Sequence, residues 1–271
     1  MHESGFPPPI PQVLFRVEAL MSSLMRGQEK NGHGAEHCKT VASHAAAAIR
    51  SHPEEIPPFQ ALAILCAALL HEVDDEKIFQ TYDNFNARWI LAQSFPAPIP
   101  ALGAPQEELV EETVSLIKVV SCSKNGVSPL AFPWQAIPRD SDRLEAIGLP
   151  GIVRCLLYGR DRGRPFRLAD TPRPLCEEDV WEAAQPERFR DYASGRPSLS
   201  TLDHFYDKIL HLLRPGAEGS PFFSGNPYIL EQVALRRAPV VDFLLRCERE
   251  KVENYDSPYI LELLSNGEVS L

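Results

Sequence analysis

The chain has no CxxC pair, no apolar run of membrane-spanning length, no sustained period-two alternation and no internal repeat. Each absence removes a class of protein. The six cysteines (Cys38, Cys66, Cys122, Cys155, Cys176 and Cys247) are scattered without regular spacing, so a zinc ribbon or a disulfide framework is not expected, and the thiols read as reduced. The N-terminus, MHESGF followed by a proline run, lacks the basic start and apolar middle of a secretory leader. Without a spanning run, no membrane partner is expected either, and the compartment that follows is the cytoplasm. There is also no excess of positive charge. With 27 Lys and Arg against 37 Asp and Glu, the formal net charge is -10, which argues against nucleic acid as a general surface partner, because that binding depends on basic groups neutralising phosphates. A small phosphorylated substrate in a locally basic pocket stays compatible with this charge.

What the sequence does contain is helical. The 271 residues suffice for a full core, and the hydrophobic and charged fractions, 44% and 24%, are those of an ordinary globular chain. Leu14, Val17, Leu20 and Leu24 give helical spacing between Val13 and Arg26, and Val41, Ala45, Ala48 and Ile49 form a stripe from about Gly34 to Ser51, with Pro53 as the stop. Ala61 to Leu70 is apolar almost all round, the pattern of a helix buried on every side. Further helices are predicted over Asn84 to Phe95, Glu107 to Val119, Asp142 to Leu157, Ser200 to Leu213 and Pro227 to Glu253, with the tail from Asn254 ambiguous. Ser121 to Gln135 has turn composition. Gly159 to Pro174 reads as a long surface loop with a basic cluster of Arg160, Arg162, Arg164 and Arg167. The expected fold class is all-α, a single helical domain over 1–271 with a core at about 13–215 and a C-terminal helical extension at about 216–271.

The buried helix ends in His71-Glu72. Upstream lie His33 and His37, four apart and so on one helix face, and downstream the acidic pair Asp140 and Asp142. Imidazoles and carboxylates drawn from three distant segments suit one divalent cation of the Mn, Fe, Co, Zn or Mg kind. A buried imidazole beside a buried carboxylate needs a partner, and a cation is an economical one.

Five segments, in order, resemble the HD-domain metal-dependent phosphohydrolases. His33-Gly34-Ala35-Glu36-His37-Cys38-Lys39-Thr40-Val41 is similar to that group's HDxxHxxRV motif, LHEVDDEK at 70–77 to its HDxxDxK motif, and VSCSKNG at 120–126 to its short SFS-type turn. IPRDSDRLEAIG at 137–148 is similar to its DADRLDAIG signature, and STLDHFYDK at 200–208 to its terminal STINHFYEK-like helix. The resemblance implies an HD-domain helical bundle in which His37, His71, Glu72 and Asp140 hold the metal. It gives Asp75 a proton-handling role. Lys77, Arg143 and Lys208 would hold phosphate oxygens, His204 would sit with the substrate, and His33 would act in catalysis beside the metal or the leaving group. The implied activity is hydrolysis of a nucleotide or other small phosphoester through a metal-activated water, by a monomer or homodimer. The chain departs from the pattern with Glu72 and Gly34 where the family carries Asp, and with Thr40 where it carries Arg. These departures favour a changed substrate or metal, and they keep open an alternative in which the pocket binds a phosphorylated ligand without turnover. A di-iron oxygenase would need further histidines between Glu72 and Arg139, and there are none.

Overall fold

The computed structural model describes residues 6–28, 34–76, 78–95, 105–121, 129–214 and 221–268. Among them there are twelve helices and no strand, as the absence of period-two patterning requires. No described helix is long and apolar enough to cross a membrane. The chain divides into two compact units, one of residues 1–143 with 224–229 and one of 144–223 with 230–271.

The first unit is built around a dry helix. Its elements are α1 (Ile10–Met25), α2 (Ala35–Arg50), α3 (Pro58–Leu70), α4 (Phe85–Ser94), α5 (Gln106–Val120) and most of α6 (Ile137–Glu145). α3 starts at Pro58, where the missing N–H costs nothing because first-turn amides have no intrahelical acceptor. Every residue from Ala61 to Leu70 is buried, and α1, α2 and α5 all pack against α3, so it presents no polar face because it has no face on water. Each fully buried Leu or Ile there contributes about 1.5–3 kcal/mol. α2 places Cys38, Val41, Ala42, Ala45, Ala48 and Ile49 inward, close to the stripe read from the sequence. The segment 224–229 is tied to α2 by Asn226, whose amide donates to the Ala48 carbonyl at 2.8 Å, and by a 2.6 Å contact between the Tyr228 hydroxyl and His44 Nδ1.

The second unit holds α7 (Gly148–Asp161), α8 (Glu177–Ala183), α9 (Pro186–Ala193), α10 (Thr201–Leu213), α11 (Pro227–Arg249) and α12 (Pro258–Glu268), with the first residues of α11 belonging to the first unit. α7 packs against α10 and α12, and α9 against α10. The single helix predicted over Asp142 to Leu157 is two: Ile147 is extended and Gly148 adopts φ +69°, so α6 stops at Glu145 and a new helix begins. Only glycine suits that corner, since a Cβ on Gly148 would stand 2.7 Å from Arg236 Cγ. The arginine segment is also different in kind. Arg160 ends α7, and Arg167 is buried in ion pairs with Glu248 and Glu253, so it is no part of a surface cluster. The central turn of α10, Phe205–Ile209, is π-helical, a widening often found at functional positions.

Candidate metal centre

Three segments of the first unit meet here. α2 contributes His37 from its first turn, His71 caps α3 and the turn that follows carries Glu72, the ligand atoms of these three lying within 4.8 Å of one another, while α6 sets Asp142 against the two imidazoles. His37 Nε2 and His71 Nε2 are 3.3 Å apart, with the rings edge to face. Glu72 Oε1 stands 3.5 Å from the first and 4.0 Å from the second. Asp142 Oδ1 is 3.3 Å and 3.6 Å from the same two nitrogens. Donors about 2.1 Å from a shared cation stand about 3.4 Å apart at the corners of a tetrahedron and about 3.0 Å apart as octahedral neighbours. The spacings of His37, His71 and Glu72 therefore fit one divalent ion, with Asp142 alongside the imidazoles.

The ring of His71 is set for that purpose by its own helix. Its Nδ1 lies 2.8 Å from the Ala68 carbonyl, an acceptor, so Nδ1 carries the hydrogen and in the neutral ring Nε2 presents its lone pair to the cluster. Burial pushes the His71 imidazole towards neutrality, but the hydrogen bond to Asp142 and the charges of Asp142 and Glu72 outweigh it and raise its pKa to about 9. Burial likewise opposes ionisation of Asp142, and hydrogen bonds from His37 and His71 overcome it and hold that carboxyl well below the usual range. The centre thus concentrates negative charge and compensates it with a proton, which is the electrostatic setting a cation would satisfy. The side chains of His37, His71 and Glu72 are only 4–5% exposed, whereas that of Asp142 is 25% exposed, so solvent reaches the cluster beside Asp142.

Asp140, the acid that the resemblance put forward as fourth ligand, faces elsewhere. It is fully buried, accepts the Ser224 backbone N–H at 2.7 Å, and lies beside the charges of Arg139 and Arg143. Residues two apart on a helix point roughly 200° from each other, so Asp140 and Asp142 cannot both serve one site. The sequence shows the pair but not which face of α6 meets the histidines. Arg143, expected to hold phosphate, is 1% exposed, buried in the first unit next to Asp140. Asp75 is half-buried in the turn after Glu72, its N–H closing that turn on the Glu72 carbonyl at 3.1 Å. His33 and Lys77 lie outside the described residues, as do residues 122–128 of the turn segment.

His204 and Lys208 belong to the second unit, one π-helical turn apart on α10. His204 Nδ1 is 3.2 Å from Ser198 Oγ and its ring meets Tyr192 edge-on, while the Lys208 ammonium sits 5.8 Å from the centre of the Tyr192 ring. Burial, with the cations of Lys208 and Arg164, holds His204 neutral, its pKa well below the ordinary imidazole value. Asp74, which no motif singled out, accepts hydrogen bonds from Thr81, Asn86 and Ala87 right beside the ligand-bearing turn.

No protein-family model matches the chain. Its structure is similar to crystal structures of Lin1889 from Listeria innocua (19% identity, 90% of this chain and 98% of that one, TM-score 0.57) and of a Lactobacillus plantarum protein (20%, 88% and 96%, TM-score 0.59). It is also similar to that of Bacillus subtilis YpgQ in complex with ADP (16%, 86% and 97%, TM-score 0.52). At these identities the likeness establishes the fold, which is HD-domain-like. In sequence, the uncharacterized protein L803 of Acanthamoeba polyphaga mimivirus is 38% identical over 240 residues, covering 86% of this chain and 96% of that protein. On that match the chain belongs to the family of the mimivirus protein L803, and it carries the all-helical fold of its HD-domain-like structural neighbours.

Proposed function

We propose that the chain is a metal-dependent phosphohydrolase acting on a nucleotide or another small phosphoester. The observation that carries this reading is the convergence of two imidazoles and the Glu72 carboxylate at the end of a buried helix, with Asp142 3.3 Å and 3.6 Å from the same imidazoles. His37, His71, Glu72 and Asp142 would hold the cation, and the neutral tautomer of His71 is already oriented for it by Ala68. A divalent ion bound there supplies Lewis-acid activation and charge neutralisation for hydrolysis at phosphorus. Asp75, three residues beyond Glu72, would accept or return a proton. Within the second unit, the cations of Lys208 and Arg164 surround a neutral His204. The ADP held by the YpgQ structure makes nucleoside phosphates the first substrates to try.

The test is phosphate or pyrophosphate release from a panel of nucleoside mono-, di- and triphosphates with added Mn, Co or Mg. Wild type is expected to turn over at least one member of the panel, with His37→Ala and Asp142→Ala at least about 100-fold slower, since each removes a direct cation donor. Folded, metal-loaded wild type that binds ADP and releases no phosphate from any substrate would replace this reading with a pocket that binds without turnover. The substitution of Glu72 for the Asp of the resembling motif is the specific feature behind that second reading.

A further inference from the structure

α4 has an unusual start. Its N-cap residue Asn84 is left-handed, φ +54°, follows a second left-handed residue, Asp83 at φ +51°, and makes no side-chain capping bond. The exposed amides of a helix's first turn need acceptors all the same. They find one twelve and thirteen residues upstream: Asp74 takes the N–H of Asn86 on Oδ1 at 3.0 Å and the N–H of Ala87 on Oδ2 at 2.9 Å. Oδ1 also accepts the Thr81 hydroxyl at 2.6 Å, and the Asn86 side-chain amide donates back to the Val73 carbonyl at 2.7 Å. Four hydrogen bonds thus fasten residues 73 and 74 to 81, 86 and 87.

Those two residues directly follow Glu72. α3 ends at Leu70, and beyond it the backbone is held by single-turn bonds, Val73 N–H to the Leu70 carbonyl at 3.3 Å and Asp75 N–H to the Glu72 carbonyl at 3.1 Å, which do not tie the turn to another element. A glutamate on a turn held by those bonds alone keeps three side-chain torsions and a Cα free to shift, and its carboxylate would not stay 3.5 Å from His37. We infer that Asp74 is a positioning residue of the metal centre: by capping α4 from a distance it holds the Glu72 turn so that Glu72 Oε1 meets the two imidazoles. The inference rests on the metal reading of the site and adds a residue to it that touches no ligand atom. It also gives the left-handed pair Asp83-Asn84 a purpose, since that pair turns the chain so that the α4 amides point at Asp74 and not at their own N-cap.

Cobalt(II) alone is the probe, with its dissociation constant and visible absorption bands measured on the full chain. Asp74→Asn keeps size but leaves one acceptor oxygen where two are used, and Thr81→Val and Asn86→Ala each remove one bond should Asp74→Asn fold poorly. Glu111→Ala, which breaks the exposed α4–α5 pair with Arg88 from the α5 side and leaves Arg88 on the Asp83 carbonyl, controls for general loosening of α4. The expected result is binding weaker by about 10–100-fold in Asp74→Asn, smaller losses in the two single-bond variants, altered cobalt bands at saturation, and wild-type values in Glu111→Ala. Variants that lose thermal stability yet keep the wild-type dissociation constant and spectrum would overturn the positioning role and leave the metal centre intact. Wild type that takes up no cobalt would remove both.

Discussion

Asp140 and Asp142 carry the same charge on the same helix, and exchanging each in turn for asparagine separates ligation from bulk electrostatics. Asp142 Oδ1 lies 3.3 Å and 3.6 Å from the two imidazole nitrogens, whereas Asp140 spends an oxygen on the Ser224 N–H. A carboxylate lost from beside a bound cation typically weakens binding by up to about 100-fold, which is about 3 kcal/mol. Asp142→Asn is therefore expected to weaken Mn or Co binding by about 100-fold with little loss of fold. Asp140→Asn should do the reverse. It removes a charge that burial already disfavours, leaves Arg139 and Arg143 beside a neutral amide, and alters stability through the Ser224 contact while changing metal affinity by less than about 3-fold. Titration calorimetry of both variants, with urea unfolding in parallel, gives the two numbers. Equal weakening by the two substitutions, or a stronger effect at Asp140, would refute the assignment of α6 faces, and no effect of either would refute the site.

Two further outcomes concern the second unit. Gly148→Ala places a side chain at φ +69° with its Cβ 2.7 Å from Arg236 Cγ, so a loss of about 2 kcal/mol and a drop in melting temperature of roughly 4–8 °C are expected; an unchanged melting curve would mean that the corner relaxes freely. His204 is held neutral in the folded chain by burial and neighbouring cations, while in the unfolded chain it takes a proton near pH 6.5. The unfolded state then binds more protons below that pH, so the stability due to neutral His204 is whole above about 6.5 and declines as pH falls further, by up to about 1.4 kcal/mol per pH unit. His211, also shifted down by burial, acts in the same direction. His204→Gln should flatten the decline in melting temperature between pH 7 and 5, and a slope equal to that of wild type would contradict the argument.

The all-helical class was legible because apolar spacing is a local property, and α3 was legible above all, since ten consecutive buried residues leave no other pattern. His37, His71 and Glu72 could be picked out for the same reason: they sit at the ends of strongly patterned helices, and the structure brings the three together. The choice between Asp140 and Asp142 depends on the rotation of α6 about its axis, which a polar helix with acids on two faces does not encode by itself. The break at Ile147-Gly148 was hidden by a run that is helical on both sides, and its cause, the approach of Arg236, comes from 88 positions downstream. Arg167 looked like one of a series of surface arginines until Glu248 and Glu253 arrived from the far end of the chain to bury it. Asp74 is one acid in a run of acids, and its partners become visible once the left-handed turn at Asp83-Asn84 is drawn.

Because α3 is dry on every side and its last turn carries both the His71 ring and the carbonyl that orients it, the centre reports on the core. A cavity opened at Leu65 or a methyl added at Ala67 would tilt the helix and swing an imidazole, so the hydrophobic interior acts as the calibration of the chemistry. Repairing such a change at the site itself would be futile; the restoring substitution would have to come from α1, α2 or α5, the three helices that grip α3. In a chain built this way, stability and the geometry of the imidazole cluster are two readings of one packing arrangement.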